Sequence, residues 1–375
     1  MNHPSLAFAE DALPYLVDDA DYPTGGWAVE LLGWFEGFNA LNRSVVLTWD
    51  GANEIAGSQS AVEFIEAWSP QRDTGGWRYF RRFVPAVSNA LRENDIDVMV
   101  QACAGLATLL YGLAARQAGK KFVYRVVNDI DVDDRIKQRL KPYQYYAYQF
   151  ALRMADAFVC QNDYQAQKLK QRFPKTPQFT LHNPYKALAE PEAQAETTPY
   201  VAWLGVFSEQ KNLPLLLTLA RTTPDVEFRV AGMPAKLADT ITLDAFDQLK
   251  TLDNVNYVGF TKRTQVPTFL HNARALVNTS HYEGFSNTFL ESLAVGTPII
   301  TSVGVDPDHI VANNALGFVV NGVDEYRDAI REVTRADTDD YTERMARCRA
   351  FVETHHAPTT QATQFLTELS AALDL

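Results

Sequence analysis

The sequence predicts an α/β protein of two domains, each built on a parallel sheet. Three observations carry this. The 375 residues exceed what one ordinary core holds, since domains run to about 100–200 residues. Short apolar runs alternate with amphipathic helical stretches almost from end to end, as expected of strands that need a crossover helix before they pair in parallel. The segment KALAEPEAQAETTP, 186–199, interrupts that alternation with Ala, Glu, Pro and Thr and reads as a linker.

In the first half the apolar runs place strands over 44–48, 98–101, 122–127 and 157–160, with helices over 27–39, 106–118 and 143–154 between them. After the linker a second α/β unit begins with a strand over 200–205. It continues with strands near 227–231, 255–258, 275–278 and 298–301. The final TTQATQFLTELSAALDL has apolar residues at helical spacing and reads as a closing helix. No repeat of short fixed period is visible, which excludes a solenoid.

Composition narrows the class. Hydrophobic residues at 46% and charged ones at 21% fit a globular chain that buries a core and exclude a largely disordered one. A net charge of −12 disfavours nucleic acid as a partner. Three widely spaced cysteines, Cys103, Cys160 and Cys348, give neither a zinc pattern nor a disulfide framework. The N-terminus lacks a basic region followed by an apolar one, and no apolar run reaches the roughly 18 residues that span a bilayer. The default expectation is therefore a cytoplasmic protein. Residues 135–175 are the exception to the acidic balance. They carry nine basic side chains against Asp156 and Asp163, interleaved with YQYYAYQF. Either this is a solvated helix face with its tyrosines packed inward, the weightier reading, or it is a peripheral contact with an acidic acceptor or the inner membrane surface.

The stretch most informative about chemistry is TSHYEGFSNTFLESLAVGTPII, 279–300. A strand ends, HYEGF turns the chain, Ser286 or Asn287 caps a helix, and Gly296 ends it. Loops at the carboxyl ends of parallel strands are where ligands bind. The first turn of such a helix leaves backbone N–H groups over Ser286, Asn287 and Thr288 to receive an anion such as a diphosphate. Glu283 and Glu291 flank that site. Carboxylates repel phosphate but accept hydrogen bonds from paired hydroxyls, so an anion with a polyol at each end, a nucleotide sugar, fits the pair. The plainer alternative is that Glu291 closes a capping box and Glu283 is solvated.

EGFSNTFLE resembles the E-x7-E motif of the retaining glycosyltransferases of family 4, whose GT-B fold sets two Rossmann-like domains facing across a cleft. YPTGGWAVELLGWFEGFNALNRSVVLT looks like that family's Gly-rich opening loop and first helix. WLGVFSEQKNLPLLLTLA looks like its first donor-domain strand and lysine. NVNYVGFTKRTQVPTFLHNARALVNTSHYEGF looks like its base-binding strand leading into the motif. The resemblance runs from about residue 22 to 320. It implies a donor site in which Glu291 binds ribose hydroxyls and Glu283 contacts the transferred sugar. Backbone groups from Gly284 and Phe285 through Ser286, Asn287 and Thr288 hold sugar and diphosphate. Lys211 neutralises the leaving diphosphate, Phe260 and Thr261 read the base, and Gly25 and Gly26 permit close approach of the first loop.

Two departures stand out. The family often has arginine where this chain has Val206, so either Lys211 or Arg263 shares the diphosphate or the donor is held differently. It also often has a histidine where YRVVNDID offers Asn128 and Asp129, which with Arg125 are the candidates for the catalytic face of the first domain. Asp134 and Leu140 disqualify DIDVDD, 129–134, as a calcium loop. No metal or other cofactor is expected. His281, His182, His355 and His356 read as structural rather than catalytic.

The resulting expectation is an acceptor-side domain over 1–186, a donor domain over 198–355, and a helix over 356–375 crossing back to the first. The activity implied is metal-independent transfer of a sugar from a nucleoside-diphosphate sugar to a hydroxyl of a glycan or lipid-linked acceptor in polysaccharide or glycoconjugate assembly. The alternatives are a binding module without turnover and, less favoured, an epimerase.

Overall fold

The structure, a computed structural model, describes all residues except 1, 2, 19–24, 40, 58–61, 186–198 and 337. Almost all of the expected linker therefore lies outside the described residues. The chain divides into two compact units, Met1–Lys186 with Ala357–Leu375, and Ala187–His356.

The first unit holds a seven-stranded sheet of β1 (Leu6–Ala9), β2 (Ser44–Trp49), β3 (Glu63–Trp68), β4 (Val98–Ala102), β5 (Lys121–Arg125), β6 (Ala157–Cys160) and β7 (Gln178–Thr180), ordered β3-β2-β1-β4-β5-β6-β7 with every pair parallel. Both faces are apolar, as a sheet sandwiched by helices requires. Ala7, Ala9, Val45 and Leu47 face one core, while Leu6, Phe8 and Val46 face the other.

The second core is completed by two helices, Gly26–Phe38 and the closing Pro358–Leu373, which belongs to this unit. Phe365 packs edge-on to Trp34 and Phe38, at 5.2 and 5.5 Å between ring centres. Their contact is close because residue 37 is glycine: a Cβ there would lie 2.3 Å from the Pro358 carbonyl oxygen.

The second unit repeats the scheme with β8 (Tyr200–Leu204), β9 (Glu227–Ala231), β10 (Val255–Gly259), β11 (Ala275–Val277), β12 (Ile299–Ser302) and β13 (Gly317–Val320), ordered β10-β9-β8-β11-β12-β13 and again parallel throughout. In both sheets the winding reverses direction, at β1/β4 and at β8/β11. In doubly wound sheets that switch point is where the carboxyl-edge loops diverge and leave room for a ligand.

Candidate functional site

The switch point of the second unit brings the expected donor residues together. β8 ends at Leu204, and a turn carries the chain through Gln210 and Lys211 into the helix Leu213–Thr222. β11 ends at Val277, and the chain turns through Ser280 and Glu283 into the helix Asn287–Ala294. Lys211 Nζ donates to Glu283 Oε1 across 2.6 Å, with only 19% and 10% of the two side chains exposed. Ser280 Oγ donates to the same oxygen at 2.7 Å, and Gln210 Nε2 donates to Oε2 at 3.1 Å. The turns are stitched together beneath this pair: Thr279 Oγ1 donates to the Lys211 carbonyl at 2.7 Å, and the His281 N–H to the Gln210 carbonyl at 2.8 Å. Lys211 thus meets Glu283, a partner the sequence did not foresee.

The helix Asn287–Ala294 begins at an extended Ser286, whose hydroxyl lies 2.9 Å from that of Thr288 rather than capping the backbone. Its first turn sets the positive end of the helix dipole at the carboxyl edge of β11, with the Phe289 N–H turned back to the Ser286 carbonyl at 3.0 Å. Glu291 sits one turn in, 9% exposed, and no capping box forms. Withdrawal from water raises its carboxyl to about 7, against the pull of Arg263 and Lys211. Gly284, Phe285 and Ser286 are buried, while Asn287 and Thr288 are half-buried.

A third turn completes the edge. β10 leads through half-buried Phe260 and Thr261 into Arg263. Arg263 Nη1 is buried and has no hydrogen-bond partner among the described residues. The turns after β8, β9 and β10 are packed tightly, because Gly232, at φ +136°, donates its N–H to the Gly259 carbonyl, and any Cβ there would lie 1.9 Å from the Gly205 carbonyl oxygen. The chemical result is a carboxylate set for hydroxyls, an unsatisfied guanidinium nitrogen, an ammonium and a helix N-terminus on one sheet edge.

In the first unit the expected residues do not converge. Arg125 is 1% exposed and makes an internal ion pair with Glu30 at 2.9 Å. It also donates to the carbonyls of Cys160 and Leu181 and to Asn183 Oδ1. That corrects the expectation of a catalytic face: Arg125 points into the core, with every side of its guanidinium occupied. Asn128 caps a short helical turn, accepting from the Ile130 N–H at 3.3 Å. Asp129 accepts from Asn162 and Gln165, both at 2.9 Å, and burial raises its carboxyl to about 6. Gly25 and Gly26 open the helix Gly26–Phe38 and are exposed, with open space where a Gly25 Cβ would stand. The remainder of that loop lies outside the described residues. His281 is exposed.

A feature that the sequence reading missed lies at the carboxyl ends of β1, β2 and β3. There a cavity of about 410 Å³ is lined by Glu10, Asp11, Tyr15, Trp49, Trp68 and Pro70. Burial raises the Glu10 carboxyl to about 7, even though its Oε1 accepts from the Ala12 N–H at 2.9 Å. The signal was the charged pair directly after LAFA, itself unread as a strand.

Residues 25–184 match the family model described as glycosyl transferase 4-like domain, and residues 186–350 the one described as glycosyl transferases group 1. Among curated proteins, 84 residues are 34% identical to a glycogen synthase of Mycobacterium tuberculosis, covering 22% of this chain and 20% of the relative. A further match, 30% identical over 138 residues, is to the D-inositol 3-phosphate glycosyltransferase of Mycolicibacterium smegmatis, covering 36% and 32%. The chain thus spans between a fifth and a third of the length of these relatives. Among solved structures, Anabaena HepE in complex with UDP and glucose superposes with a TM-score of 0.77 at 15% identity, over 98% of this chain and 100% of that one. The sucrose-phosphate synthase of Thermosynechococcus elongatus gives 0.76 at 15%, with the same coverage. At such identities the likeness is one of fold.

Proposed function

The chain joins a glycosyl transferase 4-like domain to a glycosyl transferases group 1 domain and so belongs to the GT-B glycosyltransferases of family 4 type, and from that membership we propose that it moves a sugar from a nucleoside-diphosphate sugar to an acceptor hydroxyl with retention of configuration. The observation that carries the reading is the edge of the second sheet. There a buried Glu291, the Lys211–Glu283 pair and the first turn of the helix Asn287–Ala294 share one switch point.

In this reading Glu291 accepts hydrogen bonds from the ribose hydroxyls, and the helix N-terminus receives the diphosphate. Phe260 and Thr261 border the base. Glu283 is presented to the sugar, held in place by Lys211, Ser280 and Gln210. As the glycosidic bond breaks, negative charge grows on the leaving oxygen, where Lys211 and Arg263 lower the barrier. The acceptor hydroxyl attacks the anomeric carbon on the face the diphosphate leaves, and its proton passes to the departing phosphate oxygen. The fixed positive groups of the chain fill the role a metal ion would play. HepE, solved with UDP and glucose, supports the donor class.

On the acceptor side, Trp49, Trp68 and Tyr15 offer flat faces to sugar rings, and Glu10 and Asp11 offer acceptors to hydroxyls. This lining suits a glycan or lipid-linked acceptor, which on our reading belongs to polysaccharide or glycoconjugate assembly at the cytoplasmic membrane surface. The exposure of Tyr143, Tyr146 and Phe150 on the helix Pro142–Met154, with Tyr148 turned inward, supports a membrane contact through residues 135–175.

The test is incubation of the full chain with labelled nucleoside-diphosphate sugars and a glycan or lipid extract, reading the anomeric configuration of the product by NMR. An α-donor giving an α-product supports the reading. Donor binding without transfer or hydrolysis, or an inverted product, defeats it.

A further inference from the structure

Between β3 and the helix Val84–Glu93 the chain reads GGWRYFRRF, 75–83, and the structure sorts these residues sharply. Tyr79 and Phe83 turn inward: their rings are 6.0 Å apart, and Phe83 lies 5.3 Å from both Trp68 and Tyr111. Trp77 and Phe80 turn outward, 59% and 52% exposed. Arg78, Arg81 and Arg82 are exposed beside them, with the Arg81 guanidinium 4.8 Å over the Trp77 ring. No acidic residue occurs from 74 to 83, and the preceding Asp73 is buried and bound to Arg72. The wide turn over Tyr79–Phe83 leads directly into the helix Val84–Glu93, so the exposed pair rides on a rigid, core-anchored base.

A lone exposed aromatic side chain needs no explanation; two of them set among three arginines on one turn do. The surroundings extend the patch. The helices Val84–Glu93, Leu106–Ala118 and Pro142–Met154 pack side by side over one core. On the last of them Tyr143, Tyr146 and Phe150 are 59%, 71% and 54% exposed. Crossover helices run antiparallel to their strands, so Trp77 and the Tyr143 end of that helix both lie toward the carboxyl edge of the sheet.

We propose that Trp77 and Phe80, with Arg78, Arg81 and Arg82, form a docking element for an anionic lipid bilayer. Tryptophan and other aromatic rings settle at the boundary between headgroups and acyl chains, while arginines there keep their charge among lipid phosphates. Charge complementarity selects the occupant, because a local run of three cations on a chain of net charge −12 is drawn to a negative surface that also offers apolar depth. The element extends the contact put forward for residues 135–175, but it rests on a separate segment and holds whether or not the chain transfers sugars.

The test is co-sedimentation of the full chain with vesicles of phosphatidylcholine, alone or mixed with phosphatidylglycerol. Wild type should pellet with the mixed vesicles and not with neutral ones. The double variant W77A/F80A and the triple variant R78E/R81E/R82E should each lose at least about tenfold in affinity, with circular dichroism unchanged, while Lys250→Glu on the second unit binds as wild type. Equal pelleting with neutral vesicles, or undiminished binding by both variants, overturns the proposal. So does self-association without vesicles that W77A/F80A abolishes, which would make a second copy the occupant. Preference for single-stranded RNA over vesicles, lost in the triple variant, overturns it equally.

Discussion

Lys211 and Glu283 close a 2.6 Å ion pair between the turns that follow β8 and β11, the two strands at which the second sheet reverses its winding. Removing one partner leaves the other poorly solvated and loosens both turns. Lys211→Ala should therefore lower kcat by about 10²–10³, the size expected when one group stabilising a developing oxyanion is lost. The donor dissociation constant should change less. Glu283→Gln keeps one oxygen to accept from Ser280 but sets an NH2 against the donating Gln210 amide, and it should lose kcat while staying folded. Single-turnover kinetics with saturating donor reads both, and an unaltered kcat in Lys211→Ala would remove the lysine from the mechanism.

Glu291 gives a pH dependence with a definite sign. Its carboxyl rises from 4.5 to about 7 on folding because burial disfavours the charged form. Between those values the folded chain keeps a proton that the unfolded chain has released. The group's contribution to stability then falls as pH rises, by about 1.4 kcal/mol per unit, and levels off above 7. Glu291→Gln should be more stable than wild type, by a margin larger at about pH 8 than at about pH 5. Donor affinity should move oppositely, rising through neutrality as the carboxylate forms and accepts the hydroxyls. Thermal melts and calorimetry with a nucleoside-diphosphate sugar check both. A donor affinity flat in pH and unaffected by Glu291→Gln would refute the ribose assignment.

Arg263 carries a buried nitrogen without a partner, close enough to Glu291 to act on its charge. A hydrogen bond to a charged group is worth about 1.5–3 kcal/mol, so Arg263→Ala should weaken binding of a nucleoside diphosphate roughly 10–100-fold. Binding of the corresponding nucleoside should change little, because it lacks the phosphates. Competition against a fluorescent nucleotide measures both. Equal losses for nucleoside and diphosphate would place Arg263 at the base or ribose instead.

Much of this was legible in the sequence because parallel strands buried on both faces leave continuous apolar runs. Strands β6 and β9 were read to the residue, and the rest of those read to within one or two. Four strands were missed. β1 is only LAFA, and β7 is three half-buried residues. β3 mixes exposed and buried positions at the sheet edge, and β13 begins at Gly317, which the close approach of Ile299 demands. The helix Asn287–Ala294 with Glu283 before it and Glu291 within it was legible because helix starts and glutamate spacing are local. What spacing cannot show is which side chains meet across loops. Lys211 and Glu283 are 72 positions apart, and Trp77 sits in a stretch whose outward face only packing defines.

Arg125 shows the same limit from the other side, since an arginine ending a strand looks like a ligand-binding group until its partners are known. Here its guanidinium meets Glu30, Asn183 and the carbonyls of Cys160 and Leu181, all within the first core. Glu30 in turn accepts from Trp34 Nε1 at 2.9 Å and Gln161 Nε2 at 3.0 Å. Arg125→Ala strands a buried carboxylate and should cost about 3–5 kcal/mol. Arg125→Lys should recover only part of that, because an ammonium cannot reach four acceptors held in the plane of a guanidinium. Replacing both partners, as in E30L/R125M, removes the two charges together and should restore part of the loss, since Trp34 Nε1 and the Leu181 carbonyl lose a buried partner. Urea midpoints order the three variants, while kcat per folded molecule should stay near wild type in each. A folded Arg125→Ala of wild-type stability but without turnover would return Arg125 to the reacting groups.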